Sequence, residues 1–254
     1  MIIKVLGCSG GIGQGLRTTS LLVNEHILID AGTGVGDLTI DQLLKIDHIF
    51  VTHSHLDHIT CIPFLLDTVM GLKDQAITVY ATAETIHALK THIFNWKIWP
   101  DFNVIPSAEV PFLGYQTISI GQTTIIGNIE ITALPAQHVV PAVGYQVNNG
   151  EASLVFTGDT TSCDALWVAV NQIKNLKYLL IETAFSNAEQ DLAKISKHLC
   201  PNMLADELDK LTVAAQVFIT HLKPADSHLI MDEIKATLIN RDCLELLNNQ
   251  EFAL

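Results

Sequence analysis

The chain is poor in basic residues: 14 Lys and Arg stand against 27 Asp and Glu, a formal net charge of -13 over 254 residues. That balance repels phosphate polyanions at a distance and leaves no basic stripe to follow a nucleic-acid backbone, so a small-molecule ligand is expected and a nucleic-acid partner is not. Long apolar runs are missing too. None reaches the ~18 residues of a membrane span, and the opening run 1–6 is too short for a secretory signal and leads straight into glycines. A cytoplasmic protein without a membrane partner is the expectation. The five cysteines, Cys8, Cys61, Cys163, Cys200 and Cys243, are odd in number and include no C-x-x-C pair. Neither a disulfide framework nor a thiolate zinc knuckle follows, and they read as reduced, buried small hydrophobes.

The glycine-rich stretches 7–15 and 32–36 contain no G-x-G-x-x-G register and no following G-K-[ST]. A phosphate-cradling loop is therefore disfavoured, and turns that let backbone approach a central site fit better. Linkers, low-complexity segments and fixed-period repeats are absent, so residues 1–254 are expected to form one domain. Hydrophobic residues make up 48% and charged residues 16%. Such a lightly charged surface is expected to be partly covered, and a homodimer is the assembly it suggests.

What is present is a β-rich opening with a hairpin over 19–29, a helix over 37–44 capped near Asp37, and a strand over 47–51. Beyond a strand at 76–80 and a helix from Thr82 comes 95–112, rich in aromatics and proline, which reads as a lid or a dimer contact. Strands are expected at 117–120, 124–134, 143–147, 153–156, 178–182 and 216–220, with helices at 164–173, 188–198, 202–211 and 227–239. The pattern predicts an α/β (α+β) protein in which two sheets pack face to face with helices outside.

The strand at 47–51 runs into His53-Ser54-His55-Leu56-Asp57-His58. Imidazoles and a carboxylate at that density, placed where a buried strand ends, point to a metal site. Further candidates each follow a predicted strand: Asp30, His138, Asp159, Glu182 and His221. A pair of divalent ions accepts this donor set. His53, His55 and His138 would serve one ion, Asp57, His58 and His221 the other, and Asp159 would bridge them.

The motif His53-x-His55-x-Asp57-His58, the later His138, Asp159 in Thr157-Gly158-Asp159 and His221 in Thr220-His221-Leu222 resemble the metallo-β-lactamase superfamily. The resemblance implies a four-layer αββα sandwich of two mixed sheets, with Asp30 behind the site orienting a ligand. Within the superfamily, Leu56 in the motif, the run Ile181-Glu182-Thr183-Ala184-Phe185-Ser186-Asn187 and His198-Leu199-Cys200-Pro201 resemble class II 3',5'-cyclic-nucleotide phosphodiesterases. Thr60-Cys61, Ala184 and Cys200 depart from that family's pattern. The implied activity is metal-dependent hydrolysis of cAMP or cGMP with two divalent ions, zinc first and manganese or iron as alternatives. Asp57 and His198 are the candidate catalytic residues, and Glu182 is expected to hold a ligand histidine. The alternative is another hydrolase on the same fold, a tRNA 3' processing endonuclease or a lactone or thioester hydrolase.

Overall fold

The strands Ser20–Val23, Ile27–Ile29 and Ser153–Phe156 are buried on both faces, and that shapes the architecture, because such strands are stable only inside covered sheets. A computed structural model describes residues 1–254 and resolves them into two compact units. The first comprises Met1–Gly7, Arg17–Ile118 and Asn248–Ala253, and the second Cys8–Leu16 and Ser119–Leu247 with Leu254.

The first unit contains β1 (Ile2–Gly7), β2 (Ser20–Val23), β3 (Ile27–Ile29), β4 (His48–Phe50), β5 (Ile77–Ala81) and β6 (Leu113–Thr117). These lie in sequence order across one seven-stranded sheet, with a C-terminal strand, Glu251–Ala253, beside β1. The pairings are antiparallel up to β2–β3 and parallel from β3–β4 to β5–β6. Its helices are α1 (Ile40–Leu43), α2 (Leu56–Ile59), α3 (Cys61–Val69) and α4 (Ala83–Ala88). Ile62, Leu65, Leu66 and Val69 of α3 share a core with Leu28, Ile49, Val79 and Ala81 of the sheet. The alternate strand positions Leu21, Ile27, Ile29 and Phe50 are buried as well, as period-two alternation requires of a sheet covered on both faces.

The second unit contains β7 (Thr123–Ile126), β8 (Ile129–Pro135), β9 (Val143–Asn148), β10 (Ser153–Phe156), β11 (Leu176–Glu182), β12 (Gln216–Thr220) and β13 (Cys243–Glu245). Its pairings are antiparallel up to β9–β10 and parallel from β10–β11 to β12–β13. This is the pattern of the first sheet repeated. Helices α5 (Asp164–Val170), α6 (Gln190–Ser196), α7 (Pro201–Leu208) and α8 (Ser227–Thr237) follow the same logic. Trp167, Leu204 and Ile230 pack with Val155, Leu179 and Ile219.

Several sequence expectations shift. The helix at 37–44 is shorter: Thr33–Asp37 is a 3-10 turn, and Thr39, not Asp37, caps α1 through a reciprocal box with Gln42. The strand expected at 117–120 lies earlier, at Leu113–Thr117, where it pairs with β5. In 95–112, Phe102 and Phe112 are buried in the first unit's core, while Trp96, Ile98, Val104 and Val110 are exposed. Two three-residue strands, β13 and Glu251–Ala253, follow the last predicted helix. The cysteines are all free, four of them buried. No helix is long and apolar enough to cross a membrane.

Candidate metal centre

Both sheets change from antiparallel to parallel pairing at one strand, β3 in the first and β10 in the second. Asp30 directly follows β3, and Asp159 follows β10 after a two-residue link. A change of pairing sense opens space at the strand ends, which is where open α/β sheets hold ligands.

In the first unit β4 delivers Val51 and Thr52 to a turn, and the motif continues into α2, with His55 as its non-helical N-cap residue. Helix α3 restarts at Cys61, whose N–H leaves the helix to bond Ala31 O at 2.8 Å. Pro63 sits in that first turn, where its missing N–H costs nothing. Asp30 is fully buried in a left-handed conformation (φ 57), a strain that persists only where the surroundings impose it.

The partners of Asp30 explain that conformation. Thr52 N donates to Asp30 Oδ1 at 2.8 Å, Thr52 Oγ1 donates to Oδ2 at 2.8 Å, and His58 Nδ1 donates to Oδ2 at 2.7 Å. With its one hydroxyl proton given to Asp30, Thr52 Oγ1 accepts from His53 Nδ1 at 3.0 Å. One carboxylate thereby sets the tautomers of two histidines, and the lone pair of each lies on Nε2, the form a metal takes. The rings of His53 and His58 are 4.2 Å apart, those of His53 and His55 are 4.7 Å apart, and Asp57 Oδ2 is 3.9 Å from His58 Nε2. Burial pushes the Asp30 carboxyl upward, against the hydrogen bonds from His58 and Thr52. Gly32 is required here, since a Cβ would meet Asp57 O and lie 2.5 Å from Thr18 Oγ1.

In the second unit Asp159 is buried, with His221 Nε2 3.4 Å and His138 Nε2 4.0 Å from its Oδ2. Those separations exceed good hydrogen bonds and leave room for an ion between donors. His138 Nδ1 donates to Lys197 O at 3.0 Å, and Lys197 Nζ returns a bond to His138 O at 3.0 Å. His221, left-handed at φ 64, is held by its N–H to Cys8 O at 2.7 Å. A Cβ on Gly10 would strike His221 O, so the glycine loop at 7–15 serves as a close backbone approach to this candidate ligand.

Glu182 does not hold a metal-ligand histidine, as the sequence suggested. Its Oε1 accepts from His198 Nδ1 at 2.8 Å and from Thr160 N at 3.0 Å. The His198 ring stacks on His221 at 5.2 Å and meets His138 edge-on at 4.9 Å. Burial acts to lower the His198 pKa, but the Glu182 carboxylate, its hydrogen bond and the field of Asp159 outweigh it and raise it overall.

Thr52, Thr160 and Lys197 escaped the sequence reading. Thr52 carried a weak signal, being a hydroxyl directly before the first ligand; Lys197 carried none, because its role is played by a backbone carbonyl at a left-handed helix end.

The donors fit divalent ions: His53, His58 and His138 have Nδ1 engaged, which leaves Nε2 for a metal, and the Asp159 carboxylate is buried. The chain thus carries His and Asp residues able to bind metal ions. The family description "Beta-lactamase superfamily domain" matches residues 25–222, and the chain belongs to that family, as a metallo-β-lactamase-fold hydrolase. It is 25% identical, over 88% of its length and 78% of the relative's, to a probable 3',5'-cyclic-nucleotide phosphodiesterase of Yersinia pestis. Ribonuclease Z of Haloarcula marismortui is 30% identical over 59% of this chain, which spans 48% of that relative. Unliganded yeast PDE1 matches with a TM-score of 0.83 at 19% identity, covering 100% of this chain and 99% of that one. The α/β class and metallo-β-lactamase fold expected from the sequence are the fold of this chain.

Proposed function

We propose that the chain hydrolyses 3',5'-cyclic nucleotides to 5'-monophosphates at a centre for two divalent ions, zinc first among them. His53, His55, His138 and Asp159 would hold one ion and Asp57, His58, Asp159 and His221 the other, two groups of the right composition. When bound, such a pair lowers the pKa of water and neutralises charge on the phosphoryl oxygens.

The chain's own residues supply the rest. Asp57 orients the attacking water as hydroxide adds to phosphorus and the bond to the 3' oxygen breaks. His198 gives the proton from Nε2 to that leaving oxygen, a role that suits an imidazolium held on its other nitrogen by Glu182. Asp30 and Thr52 keep His53 and His58 in the metal-binding tautomer. The observation that carries the reading is the buried His198–Glu182 pair stacked against His221, because a hydrolase needs an acid for its leaving group beside its metal ligands.

The test is turnover of cAMP and cGMP by the metal-loaded protein and by Asp57→Ala. Loss of turnover in the variant supports the proposal, and an unimpaired variant contradicts it. A second reading, tRNA 3' processing, is favoured by the 30% identity to Ribonuclease Z, although a net charge of -13 opposes binding of a polyanion. Cleavage of a precursor tRNA without cyclic-nucleotide turnover would select it.

A further inference from the structure

Within the first unit a cavity of about 250 Å3 is lined by Leu56, Ile59, Thr60, Pro63, Phe64, Ile93, Ile98 and Trp99. Its floor is a helical stripe: Leu56, Ile59, Thr60, Pro63 and Phe64 recur at the spacing that keeps side chains on one face of α2 and α3. Leu56 stands between the metal-ligand candidates His55 and Asp57 in the chain, and Ile59 directly follows His58. The cavity therefore begins where the ligand motif does.

The facing wall is built and held. Trp96 N donates to Trp99 O at 3.0 Å, Trp99 N donates to Ile93 O at 3.0 Å, and Asn95 Oδ1 accepts from Lys97 N and Ile98 N. Phe64 and Trp99 meet edge to face at 5.2 Å. The Trp99 indole N–H is buried and makes no hydrogen bond, an unusual state for a donor that ordinarily finds a partner. Leu56, Phe64 and Ile98 are 63%, 56% and 64% exposed, so water meets a largely apolar surface.

Two properties identify an occupant. In a chain of net charge -13, no lining residue carries a charge, which removes the repulsion an anionic ligand would meet elsewhere. The volume falls below the ~300–1,000 Å3 of sites that enclose whole ligands, and so suits one ring system whose remainder lies outside. Resting on the phosphodiesterase reading above, we propose that this cavity receives the nucleobase of the cyclic nucleotide, with Phe64 and Trp99 as its aromatic walls and Leu56 at the edge next to the metal ligands.

Stacking of a base on an aromatic side chain is strong enough for its loss to weaken binding about tenfold. Phe64→Ala and Trp99→Ala are therefore expected to raise KM for cAMP about tenfold with a smaller effect on kcat, and Trp99→Phe to restore most of the loss. Thermal melts confirm folding, and the exposed Phe64 provides the variant least exposed to a folding defect. Sedimentation of each variant is run alongside. Unchanged KM in both folded alanine variants overturns the proposal, and so does a dimer-to-monomer shift with unchanged KM, which would make a second copy the occupant. If the wild-type protein turns over no cyclic nucleotide, the phosphodiesterase reading falls separately, and calorimetric binding of adenosine decides the cavity. Binding weakened about tenfold by Phe64→Ala supports it, and no adenosine binding to the wild type overturns it.

Discussion

Replacing Thr52 by Val removes one hydroxyl and changes the side-chain volume little, yet that hydroxyl joins Asp30 to His53. Thr52 is fully buried, so water cannot replace either bond. Asp30 loses a hydrogen bond to a charged group, ~1.5–3 kcal/mol, and His53 Nδ1–H loses its acceptor, ~1–3 kcal/mol. The sum, roughly 3–5 kcal/mol, is a large share of ordinary domain stability, and at this chain length it lowers Tm by on the order of 10 °C. The second effect is on the ligand itself. Freed from Thr52, His53 turns and changes tautomer, and removal of such an outer partner typically weakens metal binding about 10–100-fold. Thr52→Ser keeps the hydroxyl and is expected to remain close to wild type in both respects. The assay is zinc titration with a competing chromogenic chelator, paired with thermal melts of the metal-free proteins. If Thr52→Val matches Thr52→Ser in both Tm and zinc affinity, the relay from Asp30 through Thr52 to His53 does not operate.

Glu182→Gln removes the carboxylate facing His198 while preserving its shape; kcat is expected to fall about 10–100-fold with metal content intact, and loss of metal together with activity would show that the pair is structural. Glu207 accepts from Trp167 Nε1 at 2.6 Å and pairs with Lys210 at 2.7 Å. Burial raises its pKa, but those bonds and the one from Cys163 outweigh it, and the folded-state value lies below the ordinary one. Its stabilisation is therefore full above the usual carboxylate range and disappears as pH falls through the lowered value, so the Tm gap between wild type and Glu207→Gln should be widest near neutrality and close in acid; a pH-independent gap would contradict this. Gly32→Ala forces a methyl against Asp57 O and Thr19 O, and should cost about 1–3 kcal/mol in urea denaturation, whereas a neutral result would mean that the chain relaxes around it.

The candidate ligand residues stand out in the sequence because they are dense and strongly typed: His53 to His58 follow an apolar strand, and Asp159 and His221 each close another. The long strands read correctly for the same reason, since β9 to β12 are runs of apolar residues between clear breaks. What escaped detection rests on tertiary pairing. Cys243–Glu245 and Glu251–Ala253 are strands only because β12 and β1 lie beside them, and three residues carry no periodicity. The pairing pattern shared by the two sheets has no counterpart in sequence repetition, because strand direction is set by packing and not by residue identity. Glu182 was singled out for its place at a strand end, but its partner His198 lies beyond helix α6, a relation no local spacing encodes.

The central claim is that the chain is a hydrolase dependent on two divalent ions, and hydrolysis of cAMP by a chelated and reconstituted protein tests it most directly. Turnover absent after chelation, returning as zinc or manganese is added, and saturating near two equivalents per chain is the expected result. Full turnover in the metal-free protein, or none at any metal content, would contradict it.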